Sequence, residues 1–296
     1  MPSIADFLIA RPQLQRRLFF LARRFVPGET IESAIGAVRL LNADKLTATL
    51  DFLGEDVFNE ADAAHTTDTY VEMIDAIGRA GVNSNVSVKL SAIGQAISED
   101  LAVSNLNRII ASARPTKMFV RLDMEGSKTV DSTYRIMERV RQDYEHVGPV
   151  VQAYLRRAAT DVDHHAAAQV RVRLCKGAYG EPADVAIQDM PMIRRNFAEL
   201  AQKLLAHGNY PGIATHDDYL IDAVRAFVER EKIPPDRFEY QMLYGIRPEK
   251  QKAIVASGYR MRVYVPFGTH WAGYFARRLG ERKENVYFVL RSLFSR

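Results

Sequence analysis

The amino-acid sequence predicts an α/β protein, a (βα)8 barrel of the TIM type preceded by a helical extension. The first observation is that eight short apolar runs alternate with segments of helical periodicity, as parallel strands and their crossover helices do. The second is the length of 296 residues, which is typical of one such barrel. The alternative is an open doubly wound sheet, but no run is followed by the Gly-x-Gly-x-x-Gly turn of its usual dinucleotide site.

The predicted extension spans residues 1–46, and the barrel spans residues 47–296. Apolar side chains keep a helical period at Leu14, Leu18, Leu21 and Phe25. Pro27-Gly28 ends this run, and a second helical segment follows. The stretch 16–24 is amphipathic and basic, so we expect a helix packed on the barrel, with a helix lying on a membrane surface as the alternative.

The predicted strands lie at 49–53, 85–90, 118–123, 150–154, 170–175, 212–215, 238–243 and 260–265. Helical patterns between them include 67–79, 130–142, 194–205, 219–230 and 248–256. A last helix is predicted at 274–285, with Thr269 as a candidate N-cap. It would place Tyr274, Arg277 and Arg278 on one face. Two guanidiniums beside an aromatic ring can hold a carboxylate or a phosphate, and the alternative is a solvated basic face.

Composition excludes several function classes. The chain has 40 basic and 36 acidic residues, a net charge of +4, which suits small anions better than nucleic acid. Its single cysteine, Cys175, excludes an internal disulfide and a cysteine-rich zinc site. No His-x-His or His-Glu-x-x-His pattern indicates a catalytic metal, and no Gly-x-Ser-x-Gly elbow is present. No secretory signal and no membrane span are visible, which predicts a cytoplasmic protein.

In a barrel, side chains at the carboxyl ends of the strands form the active site. Lys89 and Arg173 lie inside apolar runs, where a charge needs a partner, and Asp123 is the natural partner for Lys89. Cys175 is predicted to be a packed thiol rather than a nucleophile. Lys176, followed by Gly177 and Ala178, fits either a loop around a cofactor phosphate or the Schiff-base lysine of an aldolase.

Five motifs, in this order, resemble those of the proline dehydrogenase family. They are Arg-Leu-Cys-Lys-Gly-Ala-Tyr (173–179), Ala-Thr-His-Asp (214–217), Phe-Glu-Tyr-Gln-Met-Leu (238–243), Tyr-x-Pro-x-Gly (264–268) and Tyr-x-x-Arg-Arg-Leu-x-Glu-x-x-x-Asn (274–285). The length resembles the bacterial monofunctional enzymes. Two departures are Cys175, where many relatives have valine, and Gly180, where some have tryptophan.

The resemblance implies a flavoprotein that oxidises L-proline to Δ1-pyrroline-5-carboxylate in proline catabolism, by hydride transfer to N5 of FAD. It also implies a quinone as electron acceptor, peripheral contact with the inner face of the plasma membrane, and a separate pyrroline-5-carboxylate dehydrogenase that takes the product. The alternatives are a Schiff-base lyase or aldolase that uses Lys176, and a non-catalytic anion-binding barrel.

The resemblance also implies roles for individual residues. Arg277, Arg278 and Lys89 would hold the proline carboxylate, with Asp123 fixing Lys89. Tyr264, Tyr274 and Leu243 would surround the proline ring and the arginines. Arg173 would approach flavin N5 and stabilise the reduced flavin. The remaining cofactor contacts would come from Met124, Gln152, Lys176, Gly177, Ala178, Thr215 and His216, and from either Arg194 or Arg195. Glu55 could pair with Arg278 and gate the site.

Overall fold

The computed structural model describes residues 19–54 and 57–281, with side chains up to Arg278. Eight parallel strands close into one barrel in sequence order, so the predicted fold is confirmed and the open sheet is excluded. The strands are β1 (Thr47–Phe52), β2 (Ser84–Lys89), β3 (Val120–Asp123), β4 (Val147–Gln152), β5 (Arg173–Cys175), β6 (Gly212–Ala214), β7 (Glu239–Leu243) and β8 (Met261–Phe267). Strand β1 pairs with both β2 and β8, which completes the closure.

One α-helix precedes β1 in the part described from Ile31 onward, and one follows each strand. They are α1 (Ile31–Ala43), α2 (Glu60–Ala80), α3 (Glu99–Ala113), α4 (Val130–Arg141), α5 (Ala158–Ala167), α6 (Met190–His207), α7 (Asp218–Arg230), α8 (Pro248–Ala256) and α9 (Trp271–Glu281). Short 3₁₀ turns lie at Leu90–Ile93, Arg114–Thr116 and Ser127–Thr129. The last helix starts at Trp271, earlier than the predicted start at 274, so His270 and not the predicted Thr269 directly precedes it. Residues 282–285 of the predicted helix lie outside the described ranges.

Polar side chains in the loops determine where the outer helices begin. Asn59, Ser98 and Asp217 each accept a hydrogen bond from a backbone N–H in the first turn of α2, α3 and α7. Helix α2 ends at Ala80 and is capped by Gly81, whose φ of 61° would be strained for a residue with a Cβ. These caps place the starts of the helices next to the strand ends, and so they shape the loops around the barrel mouth.

The main hydrophobic core lies between the strands and the surrounding helices, as expected for this fold. Val88, Leu122 and Leu174 are fully buried in it, and so is Val38 of helix α1. Helix α1, which belongs to the predicted extension, therefore shares the core of the barrel.

A second apolar cluster, the N-terminal cluster, joins the start of the described chain to the last helix. From residues 19–26 it takes Leu21, Ala22, Phe25 and Val26, and from the barrel it takes Leu53, Ile246, Trp271, Ala272, Tyr274 and Phe275. The ring centroids of Phe19 and Trp271 lie 5.5 Å apart. The described part of the basic stretch is thus packed on the protein, as the first of the two alternatives predicted. Among the helices described, none is both long and apolar enough to cross a membrane.

Candidate active site at the carboxyl ends of the strands

Charged side chains converge inside the barrel near the carboxyl ends of the strands. Asp51, Lys89 and Arg173 are all buried there, at 0%, 8% and 6% exposure. A buried charge is strongly destabilising unless it is paired and hydrogen-bonded. The partners of these groups therefore determine how the site is built.

Asp123 is the centre of this network. One of its oxygens accepts hydrogen bonds from Ser87 Oγ at 2.6 Å and from Arg173 Nη1 at 2.7 Å. The other accepts from the hydroxyl of Tyr264 at 2.8 Å. Burial, together with the charges of Asp123 and Asp51, holds the pKa of Tyr264 well above its ordinary value. Tyr264 therefore stays protonated, and its hydroxyl remains a donor that reaches from β8 to β3.

The predicted pairing of Lys89 with Asp123 is wrong. Lys89 Nζ donates to both carboxylate oxygens of Asp51, at 3.0 and 3.1 Å. Lys89 and Asp123 are register partners on adjacent strands, but Arg173 and Tyr264 occupy the two oxygens of Asp123. Burial raises the pKa of the Asp51 carboxyl, and the nearby charge of Lys89 opposes that increase.

The Asp51–Lys89 pair is expected to show strong energetic coupling. Asp51→Ala leaves a buried ammonium without its carboxylate, so the free energy of unfolding should fall by about 3–5 kcal/mol. The double variant Asp51→Ala/Lys89→Met removes both charges, and it should lose clearly less than the sum of the two single losses. Urea unfolding of the four proteins measures this, and losses that add to within about 0.5 kcal/mol would contradict the pairing.

Arg173 is held on two sides of its guanidinium. Asp123 accepts from Nη1, and Gln241 Oε1 accepts from Nε at 2.6 Å. The guanidinium carbon also lies 5.3 Å from the ring centroid of Tyr264. None of the hydrogen bonds between described residues uses Nη2 of Arg173. That edge is therefore available for a ligand at the barrel mouth.

A second group of cations meets at Asp217, which follows β6. Lys176 Nζ and Arg194 Nε both donate to Oδ2 of Asp217, at 2.8 and 2.7 Å. Burial would raise the pKa of Asp217, but the two cations outweigh burial and lower it. Arg195 is exposed, so the geometry favours Arg194 of the two candidates. Two cations on one carboxylate next to the start of helix α7 leave net positive charge, which suits a phosphate.

The backbone between these two groups is shaped by a glycine. Gly177 has a φ of 110°, and a Cβ there would lie 2.2 Å from the ring of Tyr154. The chain can therefore lie flat on that ring only with glycine at this position. Burial raises the pKa of the neighbouring Cys175 thiol to about 12. This supports the prediction that Cys175 is a packing residue, because a thiol with a high pKa is a poor nucleophile at neutral pH.

The other predicted cofactor residues lie along the same rim. Gln152 Nε2 donates to the carbonyl of Glu125 at 2.8 Å. Thr215 Oγ1 accepts from the backbone N–H of Asp217, and His216 Nε2 accepts from the N–H of Leu243 at 3.0 Å. Nε2 of His216 is therefore an acceptor that already has a backbone donor. Two further members are the buried Met124 and the exposed Ala178.

Helix α9, which carries the paired arginines, packs at the barrel mouth against residues that follow β1 and β7. Arg278 is only 8% exposed, and its guanidinium carbon lies 4.9 Å from the ring centroid of Tyr274. Arg277, in contrast, is exposed. The alternative of a solvated basic face is therefore wrong for Arg278. Glu55, the proposed gate, lies outside the described residues.

Gly268 at the turn before α9 places this helix beside strand β1. Its φ is 120°, and a Cβ would meet the ring of Phe52 at 3.0 Å. The N–H of Leu53 donates to the carbonyl of Phe267, which ties the two strand ends together. Helix α9 therefore begins next to β1, one strand away from Lys89 on β2.

Three acidic residues that hold the site were given no role in the sequence prediction. Asp51 holds Lys89, Asp217 holds Lys176 and Arg194, and Glu125 accepts from Ser91 Oγ at 2.6 Å. Asp51 had a visible signal, because it is an acid inside an apolar run, as Lys89 is a base inside one. Asp217 and Glu125 directly follow strands, which is the position where barrel chemistry is expected.

No group of three or more His, Cys, Asp or Glu side chains that could bind a metal occurs among the residues described. The charged groups at the mouth are instead mostly cations with hydrogen-bonded carboxylate partners. Such a site can bind and orient anionic ligands.

Comparison with known proteins identifies the family. The family model described as proline dehydrogenase matches residues 34–291. Proline dehydrogenase 1 of Bacillus subtilis is 43% identical over 275 residues, which cover 93% of this chain and 91% of that protein. Proline dehydrogenase of Deinococcus radiodurans is 41% identical over 292 residues, covering 96% and 94%.

A solved structure supports the same assignment. Proline utilization A from Bdellovibrio bacteriovorus, inactivated by N-propargylglycine, superposes with a TM-score of 0.84 at 26% identity. The match covers 90% of this chain but only 33% of that one. With a family model over most of its length and relatives above 40% identity, the chain belongs to the proline dehydrogenase family.

Proposed function

We propose that this chain oxidises L-proline to Δ1-pyrroline-5-carboxylate and uses FAD bound at the carboxyl ends of the strands. The observation that carries the proposal is the separation of two cationic groups at one barrel mouth. Lys176 follows β5 and Arg194 lies on α6, and both bind Asp217 after β6. Lys89 and the arginines of α9 lie on the side of β1 and β2. Arg173 on β5 lies in the network between them.

Lys89, Arg277 and Arg278 are the proposed carboxylate-binding residues. Arginine can hold a carboxylate through two parallel N–H donors, which fixes its orientation as well as its position. Asp51 and Tyr274 restrict Lys89 and Arg278 before any ligand arrives. A carboxylate held in this way would place the proline ring against Tyr264 and Leu243, and orientation is a large part of what a protein contributes to such a reaction.

The residues at β4 to β6 fit FAD. The positive excess at Lys176 and Arg194 suits its diphosphate, and the flat backbone at Gly177 permits close approach of a ligand. Gln152, Thr215, His216 and the backbone at Met124 and Ala178 would complete the contacts. Arg173, whose Nη2 edge is open among the described residues, would face the isoalloxazine ring.

When bound, FAD supplies the acceptor for the hydride that leaves the carbon next to the proline nitrogen. The protein's own contribution is a set of charged and hydroxyl groups that are held in fixed positions. Asp123 sets the position of Arg173 on one side and of the Tyr264 hydroxyl on the other. We assign Asp123 and Arg173 as the central residues of catalysis, because their ion pair lies in the network between the two cationic groups.

We extend the proposal to the partners that the family resemblance implies. Electrons would pass to a quinone through peripheral contact with a membrane surface, and the product would pass to a pyrroline-5-carboxylate dehydrogenase. The net charge of +4 is compatible with contact to anionic lipid.

The Schiff-base alternative loses its main support in this geometry. Lys176 Nζ donates to Asp217 Oδ2 at 2.8 Å, so the nitrogen is already engaged in an ion pair. A Schiff-base lysine must instead present its nitrogen to the carbonyl carbon of the substrate. Borohydride trapping with carbonyl substrates should therefore leave Lys176 unmodified.

The visible spectrum of the purified protein tests the proposed function. After supply of FAD, we expect flavin absorption bands that bleach when L-proline is added without oxygen. Addition of D-proline or L-leucine under the same conditions is the control for a specific substrate effect. A protein that takes up no FAD, or whose bands do not respond to L-proline, would overturn the proposal.

A further inference from the structure

A chain of hydrogen bonds inside the barrel connects Arg173 to a buried acid two strands away. Arg173 Nε donates to Gln241 Oε1 at 2.6 Å, and Gln241 Nε2 donates to Glu239 Oε1 at 2.6 Å. Gln241 is only 5% exposed. We propose that Gln241 is a positioning residue that fixes the Arg173 guanidinium, and that Glu239 orients the Gln241 amide. The inference rests on the proposed function, in which Arg173 faces the flavin.

The amide of Gln241 has one favourable orientation. A guanidinium has only donors, so the oxygen of the amide must face Arg173. An ionised carboxylate has only acceptors, so the nitrogen of the amide must face Glu239. A flipped amide would place N–H groups against Arg173 and an oxygen against Glu239, and both buried contacts would be repulsive.

Glu239 is itself held in place. Arg262 Nε donates to the same oxygen, Oε1, at 2.6 Å, and Tyr210 donates to Oε2 at 3.2 Å. Burial would raise the pKa of Glu239, but the charge and hydrogen bond of Arg262 and the hydrogen bond of Gln241 outweigh it and lower the pKa. Glu239 therefore stays ionised, and this keeps the orientation of Gln241 fixed.

Strand β6 leaves the space that Gln241 needs. A Cβ on Gly212 would lie 2.4 Å from Gln241 Nε2. The clash would be with the end of a side chain rather than with backbone, so an alanine at this position should displace the amide without breaking the strand. Gly212 thus offers a second way to disturb the contact while leaving Gln241 in the sequence.

Gln241 and Asp123 together determine which edge of Arg173 faces the mouth. Asp123 binds Nη1, and Gln241 binds Nε, on different edges of the same planar group. With both bonds present, the guanidinium has little freedom to rotate. Without Gln241, Nε would be left buried without its acceptor, and the group would turn toward another partner.

The midpoint potential of the bound flavin tests this inference in the FAD-loaded enzyme. A cation close to the ring favours the reduced over the oxidised form, so displacing Arg173 should lower the potential. We expect Gln241→Met and Gly212→Ala each to lower, at least tenfold, the ratio of the affinity for reduced flavin to the affinity for oxidised flavin. This corresponds to a midpoint potential lower by about 30 mV for a two-electron couple. Gln251→Met is the matched control, because Gln251 is also buried but donates to the carbonyls of Leu243 and Ile246.

The outcomes separate this inference from the proposed function. Bleaching of the parent enzyme's flavin by L-proline tests the proposed function. The difference in midpoint potential between variants and parent tests the positioning role of Gln241. A lower potential in Gln241→Met and Gly212→Ala, with the parent value in Gln251→Met, supports this positioning role. A parent-like potential in Gln241→Met or Gly212→Ala, or an equal shift in Gln251→Met, overturns it and leaves the proposed function intact.

Discussion

Replacing Arg278 by methionine is expected to raise the KM for L-proline roughly 10²-fold or more, while the flavin stays bound. The expected loss is that of a charge-assisted contact to a carboxylate in a partly buried site, which is about 2–5 kcal/mol. Arg278 is 8% exposed and stacked on Tyr274, so little of this contact is replaced by water. Steady-state kinetics and the flavin content of the purified variant measure both effects.

Arg194→Met is the matched control for this prediction. It removes an equally charged side chain from the other cationic group, where Arg194 donates to Asp217. It should weaken FAD binding and leave the KM for L-proline of the fully loaded enzyme close to that of the parent. Loss of flavin from Arg278→Met with an unchanged KM would contradict the proposal that Arg278 binds the proline carboxylate. Arg278 would then belong to the FAD site.

Replacing Phe25 by alanine is expected to impair substrate binding from a distance. Phe25 is fully buried in the N-terminal cluster, with its ring centroid 6.2 Å from that of Phe275 on α9. Truncation of a buried phenylalanine typically costs 3–5 kcal/mol of stability. The lost contact supports the helix that carries Arg277 and Arg278, and a shift of about 1 Å there can reduce the rate 10²-fold. We therefore expect a higher KM for L-proline and a lower kcat, both measured below the unfolding temperature.

Phe238→Ala separates this effect from a general loss of stability. Phe238 is also fully buried, but it precedes strand β7 and packs against Tyr240 and Tyr259. It belongs to the main core and not to the N-terminal cluster that contains α9. The control should lose similar stability and retain the KM of the parent. If both variants raise KM equally, the N-terminal cluster has no particular influence on α9.

The packing behind this prediction involves the backbone as well. Arg24 Nε donates to the carbonyl of Gly245 at 3.2 Å. A Cβ on Gly245, whose φ is 71°, would lie 1.7 Å from the carbonyl oxygen of Arg24. The segment 19–26 therefore rests directly on the loop after β7 as well as on α9.

The barrel and the composition of its mouth could be predicted from the sequence. Alternating strand and helix patterns depend on local periodicity, and they determine which side chains lie at the carboxyl ends of strands. Lys89, Arg173 and Lys176 were found in this way. Arg277 and Arg278 were found from their spacing on one predicted helix.

The pairing of the charges could not be predicted in the same way. Asp123 is the register neighbour of Lys89, yet it pairs with Arg173, because contacts across a barrel join strands that are not adjacent. Which of several carboxylates a lysine reaches depends on competition for each oxygen, and strand pattern contains no information on that competition. The docking of residues 19–26 on α9 is likewise a contact between the two ends of the described chain, and local periodicity does not reveal it.

The central claim is that one barrel mouth holds FAD on the side of Lys176 and Arg194 and the substrate carboxylate on the side of Lys89 and Arg278. A crystal structure of the FAD-loaded enzyme with cyclopentanecarboxylate, which lacks the ring nitrogen, tests it most directly. We predict that the carboxylate contacts Arg278 and Lys89, with the five-membered ring between Tyr264 and the flavin. A carboxylate bound elsewhere, or a flavin with its diphosphate away from Lys176 and Arg194, would contradict the account.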